Sequence, residues 1–576
     1  MNPTLEGAAL DLVVCPKRES ALAAAGHLLI LGGPGSGKTT LALLKAQRRA
    51  KHLQPGQQIL FLSFSRAAVR QILTRCKTVL GRAEREVITV KTYHAFCLGM
   101  LQSYGRMLNG RTIGFVTPGE ERVRKADFTG EWNRESRRLA LDEGIYCFDL
   151  FADGCASLLE RSPALRSLIA DRYPLVIVDE FQDTGNDQWR LVKALATTAI
   201  VLCLADADQR IFEYRPDVDP RRIEILRTEL GPAEFDLGGE NHRSPGASGI
   251  LTFADAVMKN LALPITEDVK LRTYYPRNME ATVHSAVTWM FSALRAKSIA
   301  SPTVAVLARS NPFIVKLSGI LSEQHSINGA PLPPLRHDVV WDAELSAAAA
   351  IVVGSILEWP TLPRDHAVAA TLGALSRFFR LKNADAPSQS AAACVRKFNG
   401  AQAAVISGDK PRIKAAKELL ALFASPRALT GDPIEDWKQA RLPLQQIPGL
   451  DEVTSAVRFV RLFRATDALA AGLSDLWLAS GNYAGASGLV RRVLEREQLF
   501  AAEREPEGCV LMNMHKSKGK EFDGVVLVEG QYGSQFFNQR EGPPFEQSRR
   551  LLRVAITRAR TLVTLVRAND SPSLVD

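Results

Sequence analysis

Between His27 and Leu43 the chain reads HLLILGGPGSGKTTLAL: an apolar run, a glycine-rich turn, then a lysine and two threonines. The turn fits the spacing G-x-x-x-x-G-K-[ST], here with a strand pattern before it and a helix pattern after it. Glycines let backbone N–H groups turn inward around an anion, and the first turn of the following helix adds a favourable dipole. The chemistry this supports is the grip of a nucleoside triphosphate. Gly32, Gly33, Pro34, Gly35, Ser36, Gly37 and Thr40 would form the cradle. Lys38 would reach the β and γ phosphates, and Thr39 would offer its hydroxyl to Mg²⁺.

Hydrolysis needs an acid at the metal and a group that activates water. The stretch YPLVIVDEFQDT supplies both where a buried strand ends. Asp179 is placed to hold Mg²⁺, and Glu180 to orient or deprotonate the attacking water. Two acids closing an apolar strand are modest support alone; together with the phosphate loop they point to ATP hydrolysis rather than mere binding.

These residues need strands to hold them. Apolar runs recur at His27–Leu31, Ile59–Leu62, Val87–Val90, Leu175–Val178 and Ala199–Leu204. Their unbroken apolar character predicts strands covered on both faces of a parallel sheet, with helices between them. A second set at Thr303–Leu307, Val510–Met512, Val525–Val528 and Leu562–Val566 predicts a second α/β sheet. Between Ala343 and Phe500 the sequence reads helical, as ELSAAAAIVVGSILEW and PRIKAAKELLALFASP show, so the second sheet carries a long insertion. A smaller helical stretch, Leu98–Arg172, interrupts the first.

A chain of 576 residues is too long for one hydrophobic core. Its 46% hydrophobic and 23% charged residues are those of an ordinary globular protein, and no apolar run approaches the roughly 18 residues of a membrane span. The N-terminal MNPTLEGAALDLVVCPKRES lacks a secretory pattern, and eight cysteines without a Cys-x-x-Cys pair predict reduced core thiols. The expectation is a cytoplasmic protein with no membrane contact. A formal net charge of +10 favours a polyanionic partner but does not identify it.

From DEFQDT onward the sequence resembles the UvrD/Rep/PcrA family of superfamily 1 helicases. LSFSRAAVRQI (Leu62–Ile72), KTYHAFC (Lys91–Cys97), LADADQRIFEYR (Leu204–Arg215), ENHRSP (Glu240–Pro245), MNMHKSKGKEFDGVVLVE (Met512–Glu529) and LLRVAITRAR (Leu551–Arg560) resemble its further signatures, in family order. The resemblance implies an α/β fold of two RecA-like P-loop motor domains with parallel sheets, each carrying a mainly helical inserted subdomain. The division it implies is 1–97 with 173–238 for the first motor domain and 98–172 for its insertion. The second motor domain would be 239–342 with 501–576, and its insertion 343–500.

By the same resemblance ATP sits between the motor domains. The first contributes Lys38, Thr39, Asp179, Glu180 and the γ-phosphate-sensing Gln209; the second contributes Arg243 and Arg558 as arginine fingers, and Glu521 at the ribose. For DNA, Ser63, Ser65 and Arg66 would touch phosphates. Tyr93, His94, Phe96, Phe212, Tyr214 and His515 would stack or pack on bases, with Tyr214 the foremost stacking candidate and Phe96 and Phe212 equally suited to a core. Lys17 stands where many relatives carry an adenine-reading glutamine, which leaves nucleotide selectivity open. The function implied is an ATP-dependent single-stranded DNA translocase and helicase, 3′-to-5′ by family. It would act on single-stranded and tailed double-stranded DNA in repair, recombination or anti-phage defence, in the last case with a separate nuclease partner. The alternative is a DNA-sensing ATPase that switches a partner protein without processive unwinding.

Overall fold

A computed structural model describes residues 16–116, 118–210, 217–238, 247–327, 329–340, 343–385, 389–424, 429–458, 467–500, 507–531, 534–539 and 541–575. Two six-stranded, fully parallel sheets hold the first of two compact units, which comprises residues 1–112, 151–340 and 502–576. The first sheet is built from β1 (Leu28–Leu31), β2 (Ile59–Ser63), β3 (Ile88–Thr92), β4 (Leu175–Val178), β5 (Ile200–Ala205) and β6 (Ala233–Asp236). Its spatial order is β3-β2-β4-β5-β1-β6. Ile59, Leu60, Phe61 and Leu62 are fully buried, as expected of a strand covered on both faces, and each such side chain contributes about 1.5–3 kcal/mol of burial.

Helices α1 (Lys38–Ala50), α2 (Arg66–Val79), α3 (Tyr93–Tyr104), α4 (Phe151–Arg161) and α5 (Asn186–Ala196) belong to this half of the unit. In α2 the buried residues Ala68, Ile72, Cys76 and Val79 recur at three- and four-residue spacing, so one stripe packs on the sheet and the opposite stripe faces outward.

The second sheet contains β7 (Val269–Tyr274), β8 (Val304–Ala308), β9 (His337–Val339), β10 (Cys509–Asn513), β11 (Phe522–Val528) and β12 (Ala559–Ala568). They lie in the order β9-β10-β8-β11-β12-β7. The chain leaves this sheet after β9 and returns at β10, so β10 pairs with strands more than 160 residues earlier in sequence. Helix α6 (Glu546–Ile556) leads directly into β12.

The second unit joins residues 113–150 to 341–501. The two helical segments that sequence places apart therefore form one body. The helix Arg364–Asp385 packs on Pro118–Asp127, where Arg377 meets Glu120 at 3.2 Å. The core of this unit is aliphatic and alanine-rich, with Ala349, Ala350, Val352 and Val353 sealed on the helix Ala343–Leu357. The flanks of the smaller stretch, 98–112 and 151–172, pack instead with the first unit. Among the described residues no helix is long and apolar enough to cross a membrane. The seven cysteines described are free thiols, six of them buried.

Candidate nucleotide site

Strand β1 ends at Leu31, and six residues turn the chain into α1. Gly35 and Gly37 have φ of 76° and 87°, the left-handed region that costs a side-chain-bearing residue most. Gly32 is required by space, since a Cβ there would stand 2.5 Å from the Ser36 hydroxyl. Lys38 Nζ donates to the carbonyl oxygens of Gly32 (2.6 Å) and Gly33 (3.0 Å), which holds the amine over the loop.

Next to β1 in the sheet are β5 and then β4, so the residues that follow those strands converge on the loop. Asp179 closes β4 with its amide bonded to the Leu62 carbonyl at 2.9 Å. Desolvation and then the neighbouring Glu180 charge raise the Asp179 carboxyl to about 7, against the pull of Lys38. Glu180 adopts a left-handed backbone, φ 52° and ψ 39°, a conformation worth about 1–3 kcal/mol of strain in a non-glycine residue. Burial pushes its carboxyl up, but Lys518, Lys38 and Arg558 outweigh that, so it is held below the ordinary value and stays ionised. An ionised carboxylate in this position suits a group that must accept a proton from water.

Two of the cations facing Glu180 come from the second sheet's half of the unit. Lys518, in the turn after β10, lies 3.3 Å from Glu180 Oε2, ion-pairs with Asp183 and donates to the Gln209 carbonyl at 3.0 Å. Arg558, between α6 and β12, is 3% exposed. Its Nη2 donates to Gln209 Oε1 at 3.3 Å and its Nε to the Val554 carbonyl at 2.9 Å. Gln209 in turn donates to Asp206 Oδ2 at 2.7 Å, and Gln182 Oε1 accepts from the Asp206 amide at 3.0 Å. One hydrogen-bonded chain thus runs from the acids after β4, through the turn after β5, to an arginine of the other sheet.

Hard oxygen donors are what a magnesium ion takes, usually one or two carboxylates with the remaining positions filled by phosphate and water. The Asp179 carboxylate and the Thr39 hydroxyl beside the phosphate loop fit that donor set. Among the described residues no group of three or more histidine, cysteine, aspartate or glutamate side chains forms a metal cage. A divalent cation at Asp179 has to displace a proton held up to about pH 7, so its affinity should fall as pH drops below that value.

Glu521, expected at the ribose, is enclosed. Its Oε1 accepts from Gln71 Nε2 at 2.5 Å and lies 4.0 Å from Arg75, while Oε2 lies 3.3 Å from Arg560. It ties α2 of the first sheet to the start of β12. Arg75 also reaches Thr40 Oγ1 at 3.5 Å, which brings α2 to the phosphate-loop helix. Lys17 lies exposed on the helix Pro16–Ala23.

Two of the expected DNA contacts are corrected by burial. Ser63 is 0% exposed inside the sheet, and Tyr93 is 1% exposed with its ring packed on Phe64 at a centroid distance of 5.2 Å. Neither can touch a strand at the surface. Phe96 is core as well, 6.2 Å from Tyr173. Ser65 Oγ caps α2 by accepting from the Ala68 amide at 3.0 Å. Arg66, His94 and His515 remain half-buried. Burial, and then Arg309, lower the His515 imidazole to about 4, so it is neutral at pH 7. Arg243, Phe212 and Tyr214 lie outside the described residues.

Lys518 escaped the sequence reading, although three lysines crowding a glycine turn in KSKGK were a signal. Lys518→Met is expected to destabilise the first unit by about 3–5 kcal/mol at pH 7, because the carboxylates it faces lose their counter-charge. The Glu180 carboxyl is depressed in the fold, so the stabilisation is full above the ordinary glutamate value of 4.5 and is lost as pH falls from there through the lower value the fold imposes. Thermal unfolding of both proteins at neutral and acid pH checks this. A wide gap in melting temperature at pH 7 should narrow toward pH 4, and an equal gap at both would rule the assignment out.

Residues 18–215 match the model of an AAA domain, and residues 508–566 match a UvrD-like helicase C-terminal domain. The chain is 25% identical over 284 residues to the ATP-dependent DNA helicase PcrA of Staphylococcus aureus (strain NCTC 8325 / PS 47), covering 41% of this chain and 38% of that protein. It is similarly 25% identical over 280 residues to a putative ATP-dependent DNA helicase, YjcD, of Bacillus subtilis, covering 41% and 36%. The match to the ATP-dependent DNA helicase UvrD1 of Mycobacterium leprae is 24% identical over 654 residues and covers 97% of this chain and 83% of that protein. The chain thus spans under two fifths of PcrA and YjcD.

Proposed function

We propose that this UvrD/PcrA-like chain is a DNA-dependent ATPase that translocates on single-stranded DNA and unwinds tailed duplex, moving 3′-to-5′. The observation that carries the reading is the pair of second-sheet cations at the acids and glutamine of the first: Lys518 on Glu180 and Asp183, Arg558 on Gln209. A triphosphate held by Gly32–Thr40 would lie among these groups. Lys38 and Arg558 would carry its charge, Asp179 and Thr39 would hold Mg²⁺, and Glu180 would take the proton of the attacking water. Cleavage removes the phosphate that the arginine holds, so the preference for a closed arrangement ends with the reaction. We assign Arg243 the second arginine position and Tyr214 the stacking position, both by their places in NHRS and FEYR.

The motor halves we propose are 1–97 with 173–238 and 239–342 with 501–576, the segments 98–172 and 343–500 being insertions. The setting is cytoplasmic DNA repair, recombination or anti-phage defence, the last with a separate nuclease. Strand release tests the activity. A labelled strand should leave a 3′-tailed duplex and stay on a 5′-tailed one when ATP is supplied. ATP consumption with both duplexes intact would replace the helicase by a sensing ATPase.

DNA affinity should also fall steeply with salt. Each phosphate neutralised contributes about 0.7 to the log–log slope for a single strand, so three or more contacts cost over about tenfold between 50 and 200 mM. Anisotropy of a labelled oligonucleotide reads this directly, and a flat response would exclude a cationic track.

A further inference from the structure

The outer stripe of α2 is unusual for a solvated helix face. Arg70, Leu73, Thr74 and Lys77 stand at i, i+3, i+4 and i+7, so they share one side of the helix. With Arg85, Ile88 and Val90 they line a groove of about 450 Å³ whose floor is the buried Cys76. Among the described residues three cations line it and no carboxylate does. Leu73 is 41% exposed there, beside Ile88 and Val90 of β3.

Among the described residues β3 is the terminal strand of the first sheet and pairs only with β2. Its outer edge offers backbone N–H and C=O groups to an added strand. On the other face of that edge Lys91 stands close enough to Arg172 for the two charges to repel, and burial followed by that repulsion lowers the Lys91 amine. Lysine on an edge strand is also a common guard against aggregation. A guard does not require a concavity with apolar walls and a row of cations on the second face.

The groove leads away from the expected DNA contacts: Arg70 stands one turn from Arg66, and the far end is marked by Lys77. Ser65 and Arg66 stand at the start of α2, near the C-terminal ends of β2 and β3, whereas Lys77 lies about 18 Å further along the helix axis. Among the described residues no aromatic ring lines the groove, in contrast to the stacking platforms that hold a single strand. Cations beside aliphatic side chains at a free sheet edge match an acidic peptide with apolar residues.

We propose that this groove docks an acidic, extended segment of a partner protein along the outer edge of β3. The inference does not depend on the direction of movement. A fluorescein-labelled peptide of about ten residues, alternating glutamate with valine, is titrated into the full chain and followed by anisotropy. Saturable binding is expected, weakened at least about tenfold in Lys77→Glu/Arg85→Glu and in Leu73→Glu, while ATPase activity on single-stranded DNA stays within about twofold. No binding, or equal binding to wild type and variants, overturns the proposal. So does a tenfold loss of oligonucleotide affinity in the charge-reversed variant, which would make the groove part of the nucleic-acid track.

Discussion

Arg558→Ala is expected to reduce kcat for ATP hydrolysis by about 10³-fold or more, with nucleotide affinity changed only several-fold. The magnitude follows from the role of an arginine that meets charge developing on the transferred phosphoryl group, worth about 10³–10⁵ in related enzymes. The geometry supports that role. Arg558 is almost wholly buried, its Nε is fixed on the Val554 carbonyl, and its Nη2 donates to Gln209. Arg558→Lys separates charge from shape: the ammonium keeps the charge but loses the planar fork, so most of the rate should still be lost. A melting temperature close to wild type in the lysine variant would show that the loss is not unfolding. Substantial ATPase activity in both variants would remove Arg558 from the reaction.

Glu180→Gln should lower kcat by about 10²–10⁴-fold, the range for loss of a positioned general base. Glutamine keeps the volume and the hydrogen bond with Gln182, found at 2.7 Å in the native protein, but cannot take a proton. It also breaks the 3.3 Å ion pair with Lys518, while Asp183 keeps that lysine in place. ATP binding should therefore survive, and a fluorescent ATP analogue should bind with near-native affinity. Native turnover in the glutamine variant would mean that Glu180 only neutralises Lys518.

Much of this arrangement was legible in the residues. The nine strands expected from unbroken apolar runs are all present, because strands covered on both faces leave no room for polar alternation. The three that escaped, β6, β7 and β9, are the remaining strands of the two sheets. β6 and β7 are edges that carry AEFD and VKLRTY, with exposed Glu234, Asp236, Lys270 and Leu271. Their pairing comes from neighbours distant in sequence, which local pattern cannot report. The union of 113–150 with 341–501 was hidden for the same reason.

At the site, residue type and spacing identified Lys38, Asp179 and Glu180, and family resemblance added Gln209 and Arg558. The structure brings all five to one place. Sequence could not separate a tyrosine that faces solvent from one that packs in the core, and Tyr93 and Ser63 were misplaced for that reason. Lys518, Gln71 and Arg75 were missed because their importance lies in contacts across hundreds of residues.

In the proposed motor hydrolysis depends on the second-sheet cations closing on the first-sheet acids, and a bound strand favours this closure. Steady-state ATPase rate with and without saturating single-stranded DNA tests it most directly. A rise of tenfold or more with DNA, absent in Arg558→Ala, is the result predicted. A rate that is the same with and without the polynucleotide would contradict the account.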